Sequence, residues 1–219
     1  MSNIKFKGLH FHIGSQILDM VDFRHLCSRI NELTDELDRN NIDVDIINVG
    51  GGLGVDYVNP EEHICPNFKD YFATYATYLR RKPNQEIHFE LGRAVVAQCG
   101  QLVTKVLYVK ESGKKKFAIV DAGFTDLIRP ALYGAHHKIV NISNTDNSES
   151  DIYDVVGPIC ESSDVFDTDI SLTKTKRGDF IGILSAGAYG EIMASQYNCR
   201  KLPGNVTSDE DSLANVLKF

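Results

Sequence analysis

The chain has 219 residues, of which 42% are hydrophobic and 24% charged, with a formal net charge of −7. That is ordinary globular composition, enough for one large domain or two modest ones. Both signs of charge are scattered, which excludes the basic face of a nucleic-acid binder, and no apolar run approaches the ~18 residues of a membrane span.

The first residues, "MSNIKFKG", carry no apolar secretory core. The cysteines, Cys27, Cys65, Cys99, Cys160 and Cys199, are widely spaced and form no C-x-x-C. This argues against a disulfide framework or zinc ribbon and for a reducing, cytoplasmic setting.

In chain order, "IKFKGLHFHIG" (residues 4–14) reads as a strand. Residues 21–41 read as a helix, because Phe23, Leu26, Cys27, Ile30, Leu33 and Leu37 recur at helical spacing. "VDIINVGG" is a buried strand. "PNFKDYFATYATYLRRK" is a second helix, with Phe68, Tyr71, Phe72, Tyr75 and Leu79 on one face and Pro66 near its start. "EIHFELG" is a third strand. Strand, helix, strand, helix, strand at this spacing predicts parallel strands in an α/β fold.

Past residue 100 the helical period fades. "QLVTKVLYVKE", "KKKFAIVDAG" and "GDFIGILSAG" are rich in β-branched residues and bounded by Gly, Lys or Asp, and read as antiparallel strands. "NISNTDNSESD" (141–151) reads as a loop, and the tail from Gly204 as mostly solvated with one short helix. The expectation is an α/β unit over residues 1–100, then a mainly antiparallel β domain over 101–219.

A strand sends alternate side chains to opposite faces. Leu9, Phe11 and Ile13 share one face of the first strand, and Gly8, His10 and His12 the other. In the third strand Ile87, Phe89 and Leu91 oppose His88 and Glu90. One apolar and one polar side per strand suits a barrel lumen or cleft, with chemistry at the C-terminal strand ends, where His12, Gly50 to Gly52 and Glu90 fall. Each has a plain alternative. His12 can be a satisfied strand histidine, and His10 with His12 a metal pair, although no third ligand stands at a recognisable spacing. The three glycines can be a tight turn; they fit neither G-x-G-x-x-G nor the Walker pattern, but glycines before a helix do let backbone N–H groups approach a phosphate. Glu90 and Arg93 can be a structural pair. Together, a phosphate cradle, an imidazole and a carboxylate at one strand end suit pyridoxal 5'-phosphate, whose ring nitrogen needs a facing acid.

The stretches "GLHFHIGSQ", "NVGGGLG", "ELGR", "DAGFTDLIRPALYGAHH", "GPICESSD" and "SAGAYGEIMASQYN" occur in this order between about residues 6 and 200. In them the chain closely resembles the diaminopimelate decarboxylases, pyridoxal-phosphate enzymes on an alanine-racemase-like (β/α)8 barrel, with ornithine and arginine decarboxylases as cousins. The resemblance implies the C-terminal part of a TIM-like barrel followed by the β domain. It also implies decarboxylation of meso-2,6-diaminopimelate to L-lysine and CO2 in lysine biosynthesis.

It further implies roles. His12 stacks on the cofactor ring, Ser15 and Gly50, Gly51 and Gly52 hold the phosphate, and Glu90 pairs with the ring nitrogen, a charge-assisted bond contributing about 1.5–3 kcal/mol. Arg93 lies by phosphate or substrate, and Tyr189 reaches either. Arg129 and Tyr133 hold a substrate carboxylate. Cys160, taken with His12 and Glu90 as catalytic, and Glu161, taken as substrate-binding, reach across a homodimer interface. Arg129 with Glu161 would match the distal carboxylate and ammonium of diaminopimelate.

Two departures stand out. Leu91 occupies the usual proline of "ELGR", and the family's Schiff-base lysine, in a motif like Y-A-V-K-A-N, has no counterpart in this sequence. A C-terminal portion of the enzyme is therefore expected; a separate N-terminal half is the partner that the complementing-module alternative requires. The alternatives are a non-catalytic or complementing half-enzyme module, and another basic amino-acid decarboxylase of the same fold.

Overall fold

Alternating strand and helix signals over the first hundred residues fold as a layered sheet. The computed structural model describes residues 3–145 and 149–208, and the chain divides into two units, Met1–Gln101 and Leu102–Phe219.

In the first unit, β1 (Gly8–His10), β2 (Ile46–Asn48) and β3 (Glu86–His88) form a three-stranded sheet in that order. Both pairings are parallel, and the register puts His10 beside Asn48 and Asn48 beside His88. The strands are shorter than the apolar runs that announced them. After β1 the chain bends at Gly14, whose φ is +143°, and Ile13 is left exposed.

Helix α1 (Met20–Arg39) starts where the Asp19 carboxylate accepts from the Val21 N–H, and stops at Asn40. A side-chain cap of this kind contributes about 1 kcal/mol. Asn67 caps α2 (Phe68–Tyr78) by accepting from the Asp70 N–H. Both helices lay their apolar faces on the sheet. Phe23, Leu26, Cys27 and Ile30 pack with Tyr71, Tyr75, Leu79, Ile47 and Val49, and Leu9, Phe11, Ile87, Phe89 and Leu91 flank them. Phe23 and Tyr71 meet edge to face at 4.9 Å. Full burial of Phe23, Ile30 or Ile47 contributes about 1.5–3 kcal/mol each. Phe72, assigned to the same face by periodicity, is 43% exposed. A four-residue helix, α3 (Arg93–Val96), follows β3.

The second unit is built on β4 (Leu102–Ser112), β5 (Lys115–Val120), β6 (Ile139–Asn141), β7 (Ser150–Val156), β8 (Val165–Thr173) and β9 (Phe180–Ile183), with α4 (Arg129–Tyr133) between β5 and β6. The strand order is β6-β9-β4-β5-β7-β8. All neighbours are antiparallel except β5 and β7, which are parallel. The long connection carrying α4 and β6 allows that crossover, which a tight hairpin could not make.

The sequence patterns predict β4, β5 and β9 and miss β6, β7 and β8. Residues 141–151, read as a loop, contain the end of β6 and the start of β7 at Ser150, strand ends made of polar residues. Of the tail in which a short helix is expected, residues 209–219 lie outside those described. Among the described residues no helix is long and apolar enough to cross a membrane.

Candidate active site

The polar face of the first unit's sheet converges at the C-terminal ends of its strands. Glu90 lies two residues beyond β3, on the face of His88. Its carboxylate accepts from Asn48 Nδ2 at 2.9 Å and meets His10 Nε2 at 3.1 Å. The Asn48 amide donates to one carboxylate oxygen and His10 contacts the other, which holds the Glu90 carboxyl below the usual range. Glu90 is therefore a carboxylate at neutral pH. His10, weighed as half of a metal pair, is a partner of this acid. Among the described residues no cluster of three His, Cys, Asp or Glu could hold a metal ion.

The glycine turn stands directly beside the acid. The Glu90 N–H donates to the Gly50 carbonyl at 2.7 Å. A Cβ on Gly50 would lie 2.3 Å from the Phe11 carbonyl oxygen, and one on Gly51 would lie 2.3 Å from that of Glu90. Gly50 and Gly52 also have φ of +70° and +104°. Three chain segments meet here with backbone against backbone, at separations no side chain fits.

The exposed His12 borders the turn, its Nδ1 3.5 Å from the Gly51 N–H. Gly52 sits against the Gly14 carbonyl, which places Ser15 at the other side of the cradle. Gln16 holds this loop in place, donating to the Val55 carbonyl at 2.6 Å and accepting from the Val55 N–H at 3.1 Å. The guanidinium of Arg93 donates to Ser15 Oγ from Nε and NH2, at 3.2 and 3.0 Å, and to the Tyr57 hydroxyl at 2.6 Å.

The cradle thus has an anion on one side and a cation with a hydroxyl on the other, separated by a turn without side chains. An aromatic cation with a phosphate tail has that polarity, so these residues fit pyridoxal phosphate. Gly51→Ala drives a methyl into the Glu90 carbonyl and should lower the stability of the chain by about 1–3 kcal/mol. Gly204→Ala, where a Cβ meets nothing within 4 Å, should leave it unchanged. A chemical-denaturation series on both variants checks this.

The second unit gathers its motifs through loops. Asp164, only 4% exposed, closes "GPICESSD" by accepting from the N–H groups of Phe124 and Ile159, both at 2.6 Å. Burial pushes its carboxyl up, against those two bonds. Cys160 and Glu161 are exposed on the loop Asp164 closes. Glu161 accepts from the Tyr197 hydroxyl at 2.5 Å, which raises the Tyr197 pKa, and the Tyr197 ring stacks on Phe124 at 5.8 Å. The Ser195 N–H donates to the Thr125 carbonyl at 2.9 Å, tying "SAGAYGEIMASQYN" to "DAGFTD".

On α4, Arg129 is 6% exposed and Tyr133 is 63% exposed. Arg129 Nε donates to His137 Nε2 at 3.3 Å, and His137 Nδ1 faces the Leu184 carbonyl at 2.9 Å. These partners assign the His137 hydrogen to Nδ1, leaving Nε2 to accept. Tyr189 is 42% exposed and held at φ +59°, a conformation rare for a bulky residue and frequent where a side chain is aimed for a purpose.

Four participants escaped the sequence patterns. Asn48, Tyr57, His137 and Tyr197 bind predicted residues through contacts 8 to 42 positions away in the chain. For Asn48 a signal existed: it opens "NVGGGLG" as the polar residue after a buried isoleucine.

Residues 18–187 match the family description "Pyridoxal-dependent decarboxylase, C-terminal sheet domain". The chain belongs to this family. A protein named diaminopimelate decarboxylase from Bacteroides thetaiotaomicron is 66% identical over 210 residues, which is 96% of this chain and 54% of that protein. The crystal structure of diaminopimelate decarboxylase from Helicobacter pylori complexed with L-lysine is 44% identical, with a TM-score of 0.78 over 88% of this chain and 46% of that one. A lysine/ornithine decarboxylase from Vibrio vulnificus complexed with putrescine, 23% identical with a TM-score of 0.79 over 91% of this chain and 53% of that one, shares the fold. The chain spans about half the length of the curated relatives it matches.

Proposed function

We propose that the chain is the part of a pyridoxal-phosphate-dependent meso-diaminopimelate decarboxylase that carries the cofactor cradle and the substrate loops. The enzyme would release CO2 from meso-2,6-diaminopimelate and leave L-lysine. The observation that carries this reading is the ionised Glu90 bonded to Asn48 and His10 at the edge of the glycine turn, with Arg93 and Ser15 on its other side.

Pyridoxal phosphate held there would supply an electron sink for the pair left at Cα when CO2 departs. Glu90 would keep the proton on the ring nitrogen, without which the ring is a poor electron sink. His12 would be the imidazole that holds the ring. Ser15, Arg93 and the Gly50–Gly52 turn take the phosphate. Arg129 and Tyr133 receive the distal carboxylate, and Glu161 the distal ammonium. Tyr189 stands at cofactor or substrate.

The open three-stranded sheet is read as part of a (β/α)8 barrel, and Cys160 with Glu161 as reaching into the partner subunit's site of a cytoplasmic homodimer. The test is CO2 release from carboxyl-labelled meso-diaminopimelate. The chain would be joined to the remaining portion of the Bacteroides thetaiotaomicron relative, with L-ornithine as the competing substrate. Turnover of diaminopimelate with little of ornithine is expected; preference for ornithine would overturn the substrate, and no turnover of either the activity.

A further inference from the structure

The Asn48 side chain bonds both the acid and the turn. Its Nδ2 donates to Glu90 Oε1 at 2.9 Å, and its Oδ1 accepts from the Gly50 N–H at 2.9 Å. The two bonds use the amide's two ends, so its orientation is fixed: a flipped amide would put NH2 against the Gly50 N–H and the carbonyl against the carboxylate.

The register adds a second constraint. Asn48 lies between His10 and His88 across the sheet, and His10 takes the other carboxylate oxygen, Oε2, at 3.1 Å. Glu90 is more than half exposed on its own, so packing alone does not hold it. The charged and titratable groups acting on it are His10 and His12.

We propose that Asn48 is a positioning residue. Its one amide locks the Glu90 carboxylate to the Gly50 turn and so fixes the separation between the acid and the phosphate cradle. The proposal rests on the reading of this face as a pyridoxal-phosphate site, where a rigid ring must meet both ends at once. An acid that swings free of the turn would meet the ring nitrogen in only a fraction of its conformations.

Two substitutions separate this role from support of the turn alone. Asn48→Ala removes both bonds. Asn48→Asp keeps an oxygen for the Gly50 N–H but sets a like charge against Glu90. In the 219-residue chain with carboxyl-labelled glutamate, assigned by Glu90→Gln, the Glu90 titration midpoint should rise in both variants, and more in Asn48→Asp. Hydrogen exchange of the Gly50 amide should quicken about tenfold in Asn48→Ala and stay within about threefold of wild type in Asn48→Asp.

A Glu90 midpoint unchanged in both variants, or a Gly50 amide equally fast in both, would overturn the inference. Titration of all three chains with pyridoxal phosphate, followed by its absorbance, tests the underlying reading separately. Both variants should bind about tenfold more weakly than wild type. If wild type does not bind while Glu90 and Gly50 respond as expected, the cofactor reading fails and the lock itself stands. If both variants bind as tightly as wild type, the lock has no bearing on the cofactor and the proposed role is lost.

Discussion

Replacing Asp164 with alanine should cost the second unit about 2–5 kcal/mol, among the largest losses available from one side chain outside its core. Two N–H groups, the half-buried one of Phe124 and the buried one of Ile159, end on this carboxylate. Each orphaned donor costs about 1–3 kcal/mol, and relief of the buried charge offsets part of the sum. The loss would fall on function as well as stability, because the loop Asp164 closes displays Cys160 and Glu161, and Phe124 supports the Tyr197 ring that binds Glu161.

The pH dependence has a definite sign. Burial raises the folded-state pKa of Asp164 above its ordinary 3.8, so folding takes up a proton there. The stability this group contributes is full below about pH 4 and declines as pH rises through the raised value. The difference between wild type and Asp164→Ala in urea midpoint should therefore be largest in acid and shrink toward neutrality. A difference that grows with pH would show that the carboxylate, not the acid, is the stabilising form.

Arg129→Ala should remove about 2–5 kcal/mol of transition-state binding for diaminopimelate in the assembled enzyme, seen in kcat/KM. Arg129 is buried at the start of α4 with His137 as a partner, and His137 is itself bound at the Leu184 carbonyl. The guanidinium is thus fixed before any substrate arrives, and a fixed cation loses little freedom on meeting a carboxylate. Truncation also strips His137 Nε2 of a donor, so folding must be measured alongside. Arg129→Lys keeps the charge but loses the planar fork, and should recover only part of the loss. Unchanged kcat/KM in a folded Arg129→Ala enzyme would remove Arg129 from substrate recognition.

The local pattern of this chain determined a good deal by itself. Apolar residues at helical spacing fixed α1 and α2 and, Phe72 apart, most of their buried faces, since a helix places every third or fourth residue on one side whatever lies around it. Alternation fixed which side of β1 and β3 is polar, and the length of the helical crossovers fixed the parallel pairing of each with β2, so Glu90 and the glycine turn could be placed at the same strand ends. The likeness of the motifs to the decarboxylases was legible for the same reason: each motif is short and contiguous.

The tertiary structure decided what depends on register and on distant partners. His10 meets Glu90 across 80 positions and Ser15 meets Arg93 across 78; no local period encodes such pairs. The bond from Asn48 to Glu90 needs both strand registers to be known. The burial of Arg129, the Tyr197 hold on Glu161 and the Asp164 closure arise where loops meet, and loops carry no hydrophobic period to read. The parallel pairing of β5 with β7 was hidden for a related reason. A strand's alternation says which face is buried, while its neighbour is chosen by the packing of the connection between them.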